Sequence, residues 1–259
     1  MPIQCTMWGR LAVQARSFWA HKRRALGALA LAVGLAQPAA SWGFAGVFDA
    51  AAQDALRAVG GALSSSTPPP ASDKSAASAS NAGYTYTPAL SAQVRDEVIG
   101  HLVNVGKSRG ALDAQGEQAL RDAFGKIDLV ALLEPELKKQ GYAMHDLGTA
   151  LTTWLMVHYG ILQGANTTDA QNAAVHRQIQ QRMAGVADIQ SMNDAQKQRV
   201  AEALYWFATL AQHGYEQAKQ GAQGYSVQAV TDDARQALKS FGFDAEQMKL
   251  SDQGFVTQQ

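Results

Sequence analysis

From Pro88 nearly to the C-terminus, apolar side chains recur every three or four positions, the period of helices packed along one face. Pro88 after Thr87, or Ser91 as an alternative cap, opens a helix through about Gly106 with Val94, Val98, Leu102 and Val105 inward. Residues 113–125 make a second, with Leu120 and Phe124 inward. Asp128 caps a third, Leu129 to Gln140, kinked or restarted at Pro135, whose nitrogen cannot donate a hydrogen bond. Asp146 opens a fourth of different character. From Leu147 to Ala165 there are 19 residues without a formal charge, and Trp154, Leu155, Met156, Val157, Tyr159, Ile161 and Leu162 cover the whole circumference. A helix apolar on every side is buried on every side. Thr168 with Gln171 and Asn193 with Gln196 match capping boxes, predicting helices over 169–185 and 194–219. The second of these packs Val200, Leu204, Phe207 and Ala211 on one side. A helix over 226–241 follows, and Asp244 to Leu250 reads as a short last helical turn, because no run of alternating β-branched residues competes. The pattern predicts an all-α fold: a helical bundle of about six to seven helices, with central helices near 146–165 and 194–219.

Upstream of Pro88 the pattern changes twice. Residues 42–62 place Phe44, Val47, Phe48, Ala51, Ala55 and Val59 at helical spacing, which predicts a short amphipathic helix. Its polar face has no stripe of Lys and Arg, so a helix that docks loosely or frays is preferred over a membrane-surface or partner-binding segment. Residues 63–83 are small, polar and Pro-rich and bury too little surface to offset chain entropy, so a disordered linker is expected there. Tyr84-Thr-Tyr86-Thr-Pro88 ends it as an extended strap laid on the surface of a helical domain covering 84–255. One local repeat is visible: Leu137 to Tyr142 parallels Leu238 to Phe243, each with a glycine at the position where a left-handed residue ends a helix.

Charge divides the chain. Residues 1–24 carry Arg10, Arg16, Lys22, Arg23 and Arg24 and no acid, and run into the apolar stretch Ala25–Ala36 and the small-residue exit to Ser41. This order reads as a signal peptide over 1–41, cleaved after Ala36, Ala40 or Ser41, with Met7 as an alternative start. The expected location is periplasmic or secreted. The competing reading is an uncleaved inner-membrane anchor, since 24 residues between Arg24 and Asp49 are uncharged. The remainder has 17 Lys and Arg against 22 Asp and Glu, which offers no basic field for nucleic acid. The single cysteine, Cys5, lies in the leader, so the exported part has no disulfide and no thiolate chemistry.

The strap at Tyr84–Pro88, the run Val200-Ala-Glu-Ala-Leu204, and the ending Gly242-Phe243-Asp244, Met248-x-Leu250-Ser251 and Gly254-Phe255 bear a resemblance. Over about residues 84–255 the chain resembles a family of exported bacterial proteins of unknown function. The resemblance implies an all-helical fold and export, and it assigns no catalytic residue.

Phosphate loops, dinucleotide fingerprints, Gly-x-Ser-x-Gly elbows and His-Glu-x-x-His are all absent, so no cofactor or metal is expected. His101, His145, His158, His176 and His213 form no helical pair with each other, although His145 stands beside Asp146 at a helix start. The best chemical candidate lies on the long helix, where Glu202, Trp206, Thr209 and His213 share a stripe opposite its apolar one. If that stripe meets another helix, Glu202 becomes a buried carboxylate, with Thr or Tyr side chains of the fourth helix as the expected partners. Desolvated beside Trp206, it would hold its proton and could serve as a general acid, although no second positioned carboxylate is identifiable. Trp154, Tyr159, Trp206 and His213 are the candidate binding residues. Two functions follow: a binding or structural module of the cell envelope, with an envelope protein or glycan as partner, or a glycan-directed hydrolase using Glu202. Nucleic acid is not expected as a partner, and membrane only if the leader stays as an anchor.

Overall fold

A computed structural model describes residues 47–48, 50–64 and 81–257. The expected signal peptide, the start of the first amphipathic segment and residues 65–80 of the expected linker lie outside them. Within the described residues the elements are α1 (Ala50–Ser64), α2 (Pro88–Ser108), α3 (Ala114–Phe124), α4 (Leu129–Lys139), α5 (Leu147–Gln163), α6 (Asp169–Ala184), α7 (Ala187–Ser191), α8 (Asp194–Lys219), α9 (Val227–Ser240), β1 (Met248–Ser251) and β2 (Gly254–Thr257). The fold is all-α with one small hairpin.

Local chemistry sets most of the boundaries. Asp113, Asp128, Asp146 and Ser226 each accept a hydrogen bond from the third backbone N–H of the helix they open. Both capping boxes form, at Thr168–Gln171 and Asn193–Gln196. The repeated glycine ending also forms. Tyr142 N–H donates to Leu137 O and Phe243 N–H to Leu238 O, with Gly141 and Gly242 left-handed at φ 79° and 74°. α4 continues through Pro135 as one helix and does not restart there. The single ladder bond that the proline forfeits is offset by burial of Leu133 and Leu137 on either side of it.

Helices α5 and α8 form the centre. Thirteen consecutive residues of α5, Leu147 to Tyr159, are buried, and α8 buries every residue from Val200 to Ala208. Around this pair stand α2 against α8, α6 and α9 against α5, and α1 against α6, α7 and β2. No helix among the described residues is long and apolar enough to cross a membrane.

Two expectations are corrected. The chain from Met248 forms an antiparallel hairpin rather than a last helical turn, with Leu250 opposite Phe255 and Ser251 opposite Gly254. Its strands are four residues long and too short to show an alternating run. What holds it is tertiary: the Gln178 side chain of α6 donates to Phe255 O at 2.9 Å and accepts from Phe255 N at 2.8 Å. The second correction concerns the first helix, expected to dock loosely. α1 starts at Ala50 and buries Ala52, Ala55, Leu56, Val59, Gly60 and Leu63, while Ala51 faces solvent. Val47, Phe48, Ala55 and Val59 of the expected stripe are buried, and Leu56 and Leu63 widen it on the side away from Ala51. Phe48, just before it, packs its ring against Phe207 and Phe241.

Candidate functional site

Glu202 sits where the strap crosses α8. The strap is tied to the bundle by its backbone. Tyr84 N–H donates to His145 O at 3.1 Å, Thr85 N–H to Asp194 Oδ2 at 2.9 Å, and Thr87 N–H to Gln198 Oε1 at 2.8 Å. Gln198 returns the last bond by donating to Thr87 O, also at 2.8 Å, so one buried amide satisfies both backbone groups of a single residue. The Gln198 Nε2 also donates to Glu202 Oε1 at 2.8 Å, and the Ser91 side chain of α2 lies near enough to favour the charged carboxylate. Glu202 is 2 % exposed. Burial pushes its pKa up, the Ser91 and Gln198 side chains act in the opposite direction, and the charge of Asp128 adds a further upward push.

The expected partners on the fourth helix are therefore not the ones found. Glu202 points toward α2 and the strap, and α8 meets α5 with a different face. On α5, the Thr152 and Thr153 hydroxyls instead bond back to Gly148 O and Thr149 O within the same helix. Asp128, the charge that reaches Glu202, has its own carboxylate occupied as the cap of α4. Glu202 thus orients an amide that orients the strap.

Beside it lies an aromatic group drawn from the strap, the α4–α5 loop and α8. Tyr86 stacks on His145 with centroids 4.8 Å apart, Tyr84 tilts over the same ring at 5.7 Å, and Tyr205 Oη donates to Met144 O at 3.1 Å. The Tyr84 phenol is held protonated well above its usual range, first by burial and then by the nearby charges of Glu202 and Asp146.

The remaining candidates are scattered through the core. Trp154 is 1 % exposed and meets Phe241 edge-on at 4.6 Å. Tyr159 packs edge-on against Phe255 at 4.9 Å and against Phe243 at 6.5 Å, so it braces the hairpin. Trp206 lies against Phe124 of α3 at 5.9 Å. His213 is buried, and that burial lowers its pKa to about 4. The fold brings none of these four together around a common opening.

A shallow opening does exist elsewhere, at the C-terminal ends of α5 and α8, with a cavity volume of about 80 Å³. Met156, Val157 and Ile161 form its apolar floor; Asn166, Thr167, Gln212, Tyr215, Glu216 and Lys219 form its polar walls. Gly160 and Gly164, one turn apart on the α5 side, also line it. At Gly164 the backbone is left-handed, φ 62°, and an added Cβ would lie 3.6 Å from Tyr215 Oη. This face of α8 carries no motif that marks a site in sequence. What signal it has is Gln212, Tyr215, Glu216 and Lys219 at helical spacing, opposite two glycines, and helix ends routinely carry such residues.

Fold and site together define a compact helical domain with a strap-locking acid in its interior and a small amphipathic cleft at one end. By sequence, the chain belongs to a family of unknown function, DUF6683, whose profile matches residues 20–258. No curated protein and no solved structure matches it.

Proposed function

We propose that this chain is an exported cell-envelope module that binds or scaffolds an envelope component and has no catalysis of its own. One observation carries this reading: the carboxylate best suited to acid chemistry is 2 % exposed and committed to Gln198 beside Ser91, where it fixes the strap. Support for export comes from the basic flank, apolar core and small-residue exit of residues 1–41. The strap then serves to anchor whatever precedes it to the bundle at a defined place.

Fractionation of cells expressing the full chain, with mass measurement of its N-terminus, tests the location. Recovery of an intact cytoplasmic chain removes the envelope reading. Retention of purified envelope protein or sacculi by the exported chain tests the binding, and retention of neither counts against it. The competing hydrolase reading draws on the raised pKa of Glu202. It requires soluble fragments to be released from cell wall by the wild type and not by Glu202→Gln. Release by neither protein leaves the module reading standing.

A further inference from the structure

We infer that the cleft at the C-terminal ends of α5 and α8 is a binding subsite for an uncharged, hydroxyl-rich glycan segment. This rests on the envelope-module reading and names the class of ligand it would take. The argument proceeds from what the walls offer. A phosphate or acidic glycan requires several convergent cations, but among the described residues Lys219 is the only cation lining the cleft, and Glu216 stands one turn from it. A divalent metal requires several anionic oxygens, and among the described residues Glu216 is the only carboxylate in the lining. An apolar side chain of a peptide needs a closed greasy pocket, whereas here the floor alone is apolar and the walls are amides, hydroxyls and one ion of each sign.

A sugar ring matches that division, because it has an apolar C–H face and a rim of hydroxyls that both donate and accept. Tyr215 supplies a half-buried ring at the cleft wall, and Lys219 Nζ lies over that ring 5.4 Å from its centroid, within cation–π range, so a sugar must meet the ring edge or take the place of the ammonium. The Gln212 amide donates to Glu216 Oε1 at 3.2 Å, which orients its carbonyl oxygen as an acceptor and steadies the carboxylate as a second. The exposed Asn166 side chain adds a donor and an acceptor on the opposite wall. The buried Thr167 hydroxyl donates to Asn172 Oδ1 at 2.8 Å, fixing the loop that carries Asn166.

The test is titration of the full exported chain with two neutral probes, chitotetraose and cellotetraose, followed by amide NMR shifts, with Tyr215→Ala and Asn166→Ala as variants. The expected result is saturable binding of at least one probe in the millimolar range, with shifts confined to residues 156–167 and 212–219. Each variant is expected to weaken it about tenfold, while thermal melts show that Asn166→Ala keeps wild-type stability. A preference for chitotetraose would assign the N-acetyl group to the site, and a preference for cellotetraose would assign the hydroxyls alone. The inference is overturned if neither probe binds, if both variants bind as wild type, or if the shifts map elsewhere. Retention of envelope protein by the wild type together with no binding of either probe would overturn the glycan subsite and leave the envelope-module reading intact.

Discussion

Two glutamines show how much one buried side chain can organise. Gln198 bonds both backbone groups of Thr87, and Gln178 does the same for Phe255, so each stands in for a neighbouring strand. Glu202 completes the first arrangement, at the cost of holding a carboxylate away from water. Because burial raises its pKa, the folded state holds this proton more tightly than the unfolded chain does. Its contribution to stability is therefore fully present below the ordinary value of 4.5 and is lost as pH rises through the raised one. Glu202→Gln should melt at or above wild type at neutral pH, with the gap closing as acid is added. A lower melting temperature at neutral pH would show that the charge itself is required. Two histidines pull in the opposite direction. His158 and His213 are lowered by burial to about 4, so the unfolded chain takes up protons first as pH falls through 6.5. The His158 Nδ1–H donates to Trp154 O at 2.7 Å, since a carbonyl can only accept, and the neutral tautomer is thereby fixed. Stability carried by each should be present above pH 6.5 and fall by about 2 kcal/mol between there and about pH 5. Denaturant midpoints at the two pH values check this, and His158→Asn, which keeps a donor, should flatten its share of the slope.

At the scale of elements, α1 and the hairpin are positioned by close backbone contact. A Cβ added at Gly60 would lie 1.8 Å from Phe241 O, so α1 reaches the end of α9 only because that position has no side chain. Ser64 Oγ donates to Gly242 O and Arg57 Nε to Ser240 O, pinning the same junction. Gly60→Ala should cost at least about 2 kcal/mol. Hydrogen exchange should show α1 losing protection while α5 and α8 keep theirs; equal loss throughout would mean that α1 is part of one cooperative unit. The hairpin depends similarly on Gly254, at φ 100° with no room beside Gln178. Helix starts, glycine endings and the circumferentially apolar α5 were legible in sequence, because each is encoded within about one turn of chain. The hairpin was not, because its stabilising partner, Gln178, is 77 residues away.

For the whole molecule, the consequence is that the folded body begins before the strap. Residues 47–64 share one core with 81–257, so the expected boundary at 84 cuts through packing rather than beside it. A chain starting at residue 81 loses Leu56, Val59 and Leu63, each worth about 1.5–3 kcal/mol when fully buried, and uncovers Phe207 and Phe241. It should melt well below a chain starting at residue 47 and bind a hydrophobic dye. Identical melting curves would instead place α1 outside the cooperative fold.

The sequence by itself determined the long helices between Pro88 and Ser240, most of their starts and stops, and that α5 and the first half of α8 are interior. Those properties depend on side-chain period and on hydrogen bonds that close within a few residues. Only the tertiary structure decided that Glu202 faces Ser91 and Gln198 rather than α5, that α1 belongs to the core, and that Tyr215 and Gly164 frame a cleft. Those facts join positions far apart in the chain, such as Thr87 with Gln198 at a separation of 111 residues. Local spacing fixes the face a residue occupies on its own helix, and the packing of all the helices together fixes what that face meets.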